Sequence, residues 1–300
     1  MITRKLTYFY LILLRRRTER WILLALLACY TIWGSTFFAI QVALETFPPF
    51  FQMGSRFLLA SILLFAWAMY RQQHWPNWQQ WRYAFLSGTL LIGGGMGLLA
   101  CAQEYISSSL AAAMTMMEPL MICTFSAFLG WRASKKELLG IIIGMVGILF
   151  LSMQGSFQAQ PKGLIFMLGS VTCWSVGSVL LAYKLKLAQG AMGLASQMFS
   201  GALVLLLLSF YYGESLQAPS WSSLFAWIYL VLAGSLGAYC AYMYLIKHAS
   251  PALYSSYNYV TPVIALLIGM SFAGEFLHWQ EIFAMGVCLS GIVLLLGSKR

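Results

Sequence analysis

Residues 21–44 read WILLALLACYTIWGSTFFAIQVAL, an uncharged stretch bounded by Arg20 and Glu45. At about 1.5 Å per residue a helix of that length crosses a hydrocarbon core of roughly 30 Å. Its central Thr31-Ile32-Trp33 has a counterpart far along the chain in Thr172-Cys173-Trp174. Working outward from these landmarks, apolar runs bounded by charges or turn residues give ten candidate spans: 21–44, 50–70, 83–101, 106–129, 137–153, 163–183, 193–212, 224–245, 252–273 and 280–297. The expected fold class is an all-α integral membrane protein of ten transmembrane helices.

The composition agrees with that reading. Of 300 residues, 61% are hydrophobic and only 9% charged, against about 25% charged in a soluble domain. Ten spans and short loops consume the chain, which excludes a separate soluble catalytic domain. All eight acidic residues are glutamate. The lack of aspartate removes Asp-based calcium loops, Walker B carboxylates and phosphoryl-aspartate chemistry. No phosphate-cradling G-x-x-x-x-G-K-[ST] occurs, so the sequence argues against ATP-driven pumping.

The net charge of +10 is topological. When the loops alternate between two sides, all of the 18 Lys and Arg residues except Lys162 and the intraspan Arg56 fall on the side of the N-terminus. That side is the cytoplasm by the positive-inside rule, which puts both termini there and makes the chain a multi-pass protein of the inner (plasma) membrane. Nucleic acid is not an expected partner; the lipid bilayer is. Residues 1–20 carry an apolar run, Leu6 to Leu14, too short to span, followed by Arg15, Arg16 and Arg17. They read as a basic cytoplasmic arm lying on anionic headgroups. The six cysteines all fall within spans and show no C-x-x-C spacing, so they read as packing residues, with no metal site or cofactor implied.

Laying the second half over the first pairs Trp33 with Trp174, Gly94 with Gly237, Pro119 with Pro262 and Gly147 with Gly291, at a slowly drifting offset. The repeats are 21–153 and 163–297. Each holds five spans, and because five is odd the second enters the membrane upside down. Inverted repeats are an architecture of secondary transporters, whose two bundles rock about a site near the midplane.

Several residues are expected at that depth. Trp33 and Trp174 converge from opposite ends of their spans. Pro119 and Pro262 are candidate kinks, since proline removes a backbone hydrogen bond. Bulky packing and ordinary membrane-helix prolines are the competing readings. Glu118 is the one carboxylate deep within a span. A charged acid there is costly, so it should face protein or a wet cavity, which suits proton exchange or cation binding; a structural hydrogen bond is the alternative. Arg56 either snorkels outward or pairs with Glu118. Tyr254, Tyr257, Asn258 and Thr261 make the ninth span too polar to face lipid. Helical spacing puts 254, 258 and 261 on one face, and 257 with 261, as a binding surface or a helix-helix contact.

These segments resemble the EamA family of the drug/metabolite transporter superfamily: WGSTFFAI at 33–40, PPFFQMGSRFLLASILL at 48–64, EPLMICTFSAFLG at 118–130, and, most specifically, SPALYSSYNYVTPVIALLIGMSFAGEFL at 250–277. The chain departs from the family pattern at Gly130-Trp131-Arg132, where Gly-Glu is common; the second repeat keeps Gly274-Glu275. The resemblance implies two five-helix repeats, cytoplasmic termini, a central cavity and export of small molecules such as amino acids or toxic compounds. The expected function is therefore secondary active transport by alternating access, with proton coupling at Glu118. Trp33, Glu118, Trp174, Tyr254, Tyr257, Asn258 and Thr261 are the candidate substrate-binding residues. The runners-up are an intramembrane enzyme, or a structural membrane protein or channel. The enzyme reading suffers from the lack of aspartate and from three histidines, His74, His248 and His278, placed on different sides of the membrane.

Overall fold

The computed structural model describes residues 19–154, 160–216, 218–261 and 263–264, with isolated positions at 279, 283, 286–287, 290–291 and 293–294. Residues 1–18 of the expected arm, Pro262, His278, Glu275 and most of the last span and a half lie outside the described residues.

The described residues are helical, with no strand among them. Seven helices are long and apolar enough to cross a membrane: α1 (Glu19–Leu44), α2 (Pro49–Tyr70), α3 (Trp78–Gln103), α4 (Leu110–Phe128), α6 (Pro161–Tyr183), α7 (Gly190–Tyr211) and α8 (Trp221–His248). Between α4 and α6 runs α5 (Lys135–Gln154), and α8 is followed by the short α9 (Pro251–Tyr254) and a 3₁₀ turn, Ser256–Tyr259. Eight of the ten expected spans thus correspond to long helices. The described part of the ninth is broken rather than continuous.

Most of the long helices begin a little earlier than apolar runs alone indicate, and at two of them a side-chain cap gives the reason. α3 starts at Trp78 because Asn77 and Gln80 form a capping box: Gln80 N donates to Asn77 Oδ1 at 2.9 Å and Asn77 N to Gln80 Oε1 at 2.9 Å. α8 starts at Trp221 because the Ser220 hydroxyl accepts from Ser223 N at 3.2 Å. Hydropathy misses such first turns because they lie in polar headgroup territory. The start of α2 is held from a distance, since Phe50 N and Phe51 N donate to the Glu214 carboxylate at 2.9 and 2.8 Å. An anion there satisfies free N–H groups and complements the helix dipole.

The surface is apolar and the interior partly polar, as a bilayer solvent demands. Phe128, Phe210 and Leu207 are exposed, whereas Gln52, Arg56, Gln103, Glu118, Gln197 and Asn258 are buried.

The packing repeats itself across the two halves. α2 and α7, second spans of their repeats, pack against each other; a Cβ on Gly54 would stand 2.8 Å from Leu206 Cγ, so only glycine permits this approach. α3 packs on α6 as α8 packs on α1. Gly94 abuts Cys173, and its counterpart Gly237 abuts Ile32, which occupies the same place before Trp33 that Cys173 does before Trp174. Both third spans carry a π-helical stretch at equivalent positions, Thr89–Gly97 in α3 and Leu230–Tyr239 in α8. Both fourth spans tighten into 3₁₀, Thr115–Met117 within α4 and Ser256–Tyr259 after α9. π segments and mid-helix 3₁₀ turns are the places where a helix departs from its regular ladder and often serve as hinges.

Candidate functional site

The irregular segments meet around one cavity of about 40 Å³, lined among others by Trp33, Arg56, Glu118, Trp174, Tyr257 and Asn258. At roughly 10–15 Å³ per water it holds only a few water-sized groups.

Glu118 opens the last helical segment of α4 directly after the 3₁₀ turn, with Pro119 in that segment's first turn. Its Oε2 accepts from Tyr257 Oη at 2.8 Å and from Asn258 Nδ2 at 2.9 Å. Asn258 Nδ2 also reaches Ser255 O at 3.3 Å. Tyr257 and Asn258 both belong to the segment Ser256–Tyr259, whose backbone is wound as 3₁₀, advancing about 120° per residue instead of 100°. This winding also breaks the α-helical grouping of 254, 258 and 261. Tyr254 is buried with its ring edge-on to Tyr242 at 6.0 Å, and Thr261 is buried with its hydroxyl unpartnered. Neither lines the cavity.

The opposite wall is aromatic and draws on both halves. The Trp33 and Trp174 rings meet edge to face at 5.6 Å. Trp33 also packs on Tyr257 at 4.6 Å, and Trp174 stacks on Tyr242 at 5.2 Å. Offset and edge-to-face rings at these separations attract beyond their buried area. Room for the Trp174 indole comes from Gly95, whose Cβ would lie 2.9 Å from Trp174 Cε3. Ser178 Oγ donates to Trp174 O at 2.7 Å and is bonded to Tyr242 Oη at 2.7 Å, fixing the stacked ring.

Arg56 corrects a sequence expectation. It does not snorkel outward: it is 1% exposed, its Nε donates to Ser235 Oγ at 3.1 Å rather than to Glu118, and its Cζ lies 4.7 Å from the Phe57 ring centroid. Its Nη1 has no hydrogen-bond partner. The helix surface that takes it inward is the α2 face turned to the π segment of α8, where Ser235 and Gly234 leave room. Arg56 and Tyr242 are the residues that apolar patterning does not single out. The available signal was the cost of an arginine within a span, which by default marks function.

Five of the seven candidate residues therefore surround one cavity between the two halves. Glu118, the proton-coupling candidate, is a buried carboxylate in the lining of that cavity.

Comparison with known proteins places this geometry in a family setting. The EamA-like transporter family matches twice, over residues 19–153 and 161–297. The inner membrane transporter YedA of Escherichia coli strain K12 is 40% identical over 90% of this chain and 89% of its own. PecM of Dickeya dadantii is 24% identical over 88% of each chain. A solved crystal structure shares the fold at 20% identity with a TM-score of 0.74, covering 94% of this chain and 99% of that one.

Proposed function

The chain belongs to the EamA-like transporter family, and from that premise we propose that it is a secondary active transporter exporting small metabolites across the inner membrane by alternating access. Its working parts are two inverted five-span repeats, 21–153 and 163–297, with both termini in the cytoplasm. Trp33, Glu118, Trp174, Tyr257 and Asn258 form the substrate site, and Glu118 exchanges a proton during the cycle. The observation that carries this reading is the hydrogen-bonded link from Glu118 to Tyr257 and Asn258, which joins the fourth span of one repeat to the equivalent segment of the other beside a cavity. A rocking of the repeats must make, break or re-aim that link, so the carboxylate changes surroundings as the site changes sides. The hinges are supplied by the paired π stretches and 3₁₀ turns, with Pro119 keeping the fourth span of the first repeat from closing into regular helix.

The decisive experiment is substrate flux by purified protein in liposomes, using metabolites selected by resistance or sensitivity profiling of overexpressing cells. Saturable flux that responds to an imposed pH gradient is expected. Non-saturable ion conductance would point to a channel, and covalent conversion of the metabolite to an enzyme.

Orientation has its own test. In a background free of native cysteines, a cysteine at the exposed Ser215 should react with an impermeant thiol reagent added to intact cells, and one at the exposed Asn77 should not. Labelling at Asn77 would reverse the topology.

A further inference from the structure

The walls of the cavity carry a surplus of hydrogen-bond donors. Trp33 Nε1 and Arg56 Nη1 are buried without partners, as is one acceptor, Asn258 Oδ1. Indole and guanidinium nitrogens donate only and never accept, and the guanidinium is charged at any working pH. Burying such groups unpaired is costly, the charged one most of all. Lipid supplies no partner, and Glu118 Oε2 already takes two hydrogen bonds from Tyr257 and Asn258. Two unfilled donors from two helices around one small space, one of them cationic, call for a group rich in acceptors.

We propose that Arg56, with the indole N–H group of Trp33, binds the carboxylate of a small organic acid, and that this carboxylate is what the cavity selects in the transported molecule. The proposal rests on the reading of this cavity as the transport site. A carboxylate offers two oxygens and no hydrogen, so it satisfies donors without bringing any that need satisfying. The bond from Arg56 Nε to Ser235 Oγ at 3.1 Å and the contact with the Phe57 ring hold the guanidinium plane, leaving Nη1 for the ligand. The amide of the same acid fits less well, because its NH₂ group would meet the guanidinium donor against donor. The rings of Trp33, Phe37, Trp174 and Tyr257 lie beside the anion subsite and, in a cavity of about 40 Å³, suit a short apolar body.

The test is binding to the purified full-length protein, by calorimetry, of acetate and propionate, with propionamide as the uncharged match to the second. Propionate should bind at least about tenfold more tightly than propionamide, because the amide leaves buried donors unpaired. In Arg56→Gln the ratio should fall to near one. Equal affinities in the unaltered protein, a ratio that survives in Arg56→Gln, or failure of every carboxylate in the series to bind would each overturn the proposal. Should Arg56→Gln not fold, Arg56→Lys replaces it: it should weaken propionate several-fold more than propionamide, and unchanged propionate affinity would count against the site. Carboxylates that bind but do not cross liposomes would refute transport and leave the anion site standing. Saturable flux of amides as efficient as that of acids would do the reverse.

Discussion

Glu118→Gln should abolish transport driven by a pH gradient while leaving substrate exchange at equal pH largely intact. The substitution keeps the shape of the carboxyl group, and the amide oxygen can take the place of Oε2, accepting from Tyr257 Oη and Asn258 Nδ2 as the carboxylate does at 2.8 and 2.9 Å. The change removes the exchangeable proton. If the proton on Glu118 is what lets the gradient bias the two access states, its loss leaves those states interconverting with substrate bound but no longer tilted by pH. A fall of about tenfold or more in gradient-driven uptake corresponds to roughly 1.4 kcal/mol of lost bias and is readily measured. Undiminished gradient-driven transport by a well-folded Glu118→Gln protein would remove Glu118 from the coupling. Tyr257→Phe and Asn258→Ala refine the result. Each deletes one hydrogen bond to the carboxylate, worth about 1.5–3 kcal/mol when the partner is charged, so both should shift the pH dependence of transport that Glu118→Gln abolishes.

Glu118 was legible in the sequence because a single acid in a long apolar run violates the solvent it sits in. The apolar spans were legible for the same reason, and the largest shift of a start, from 83 to Trp78, comes where the capping box at Asn77 builds helix outside the apolar run. The matching of Trp33 with Trp174 was legible as an offset between halves, and the structure turns that offset into a ring contact at 5.6 Å. What could not be read was anything decided by which way a helix turns. Arg56 has two comparable options in a span, outward to headgroups or inward to a polar pocket, and the choice depends on Ser235, far away in the chain. The polar run from Tyr254 to Thr261 invited a helical wheel, but a wheel assumes a constant angle per residue. The 3₁₀ turn at Ser256–Tyr259 changes that angle. Tyr257 and Asn258 reach Glu118, and Tyr254 and Thr261 lie off the cavity. The paired π stretches in α3 and α8 are similarly silent in sequence, although Gly93, Gly94, Gly95 and Gly97 mark where one of them occurs.

Trp174→Phe separates packing from function at the aromatic wall. The indole touches Trp33, Tyr239 and Tyr242, with ring separations of 5.6, 6.1 and 5.2 Å. Truncating it to alanine would open a cavity at a cost of about 3–5 kcal/mol and risk the fold itself. Phenylalanine keeps a ring against Trp33 and Tyr242 and gives up only the indole N–H contact with the Tyr242 hydroxyl, which Ser178 still bonds at 2.7 Å. The stability cost should therefore be small, about 1–2 kcal/mol for the missing ring atoms. The transport cost should be larger: the wall recedes, and a 1 Å looseness in a binding site is enough to cost about a hundredfold when positioning matters. A rise of about tenfold or more in the half-saturating substrate concentration, with a nearly unchanged melting temperature, is the expected pattern. Trp227→Phe provides the contrast. Trp227 Nε1 donates to Ser55 Oγ at 3.1 Å, and its ring lies beside Phe47, outside the cavity lining. It should lose stability through that broken hydrogen bond and keep its transport constants. If the two variants behaved alike, losing stability with transport intact, the Trp33 and Trp174 pair would be a packing device between the repeats, and the substrate would have to be sought against another wall.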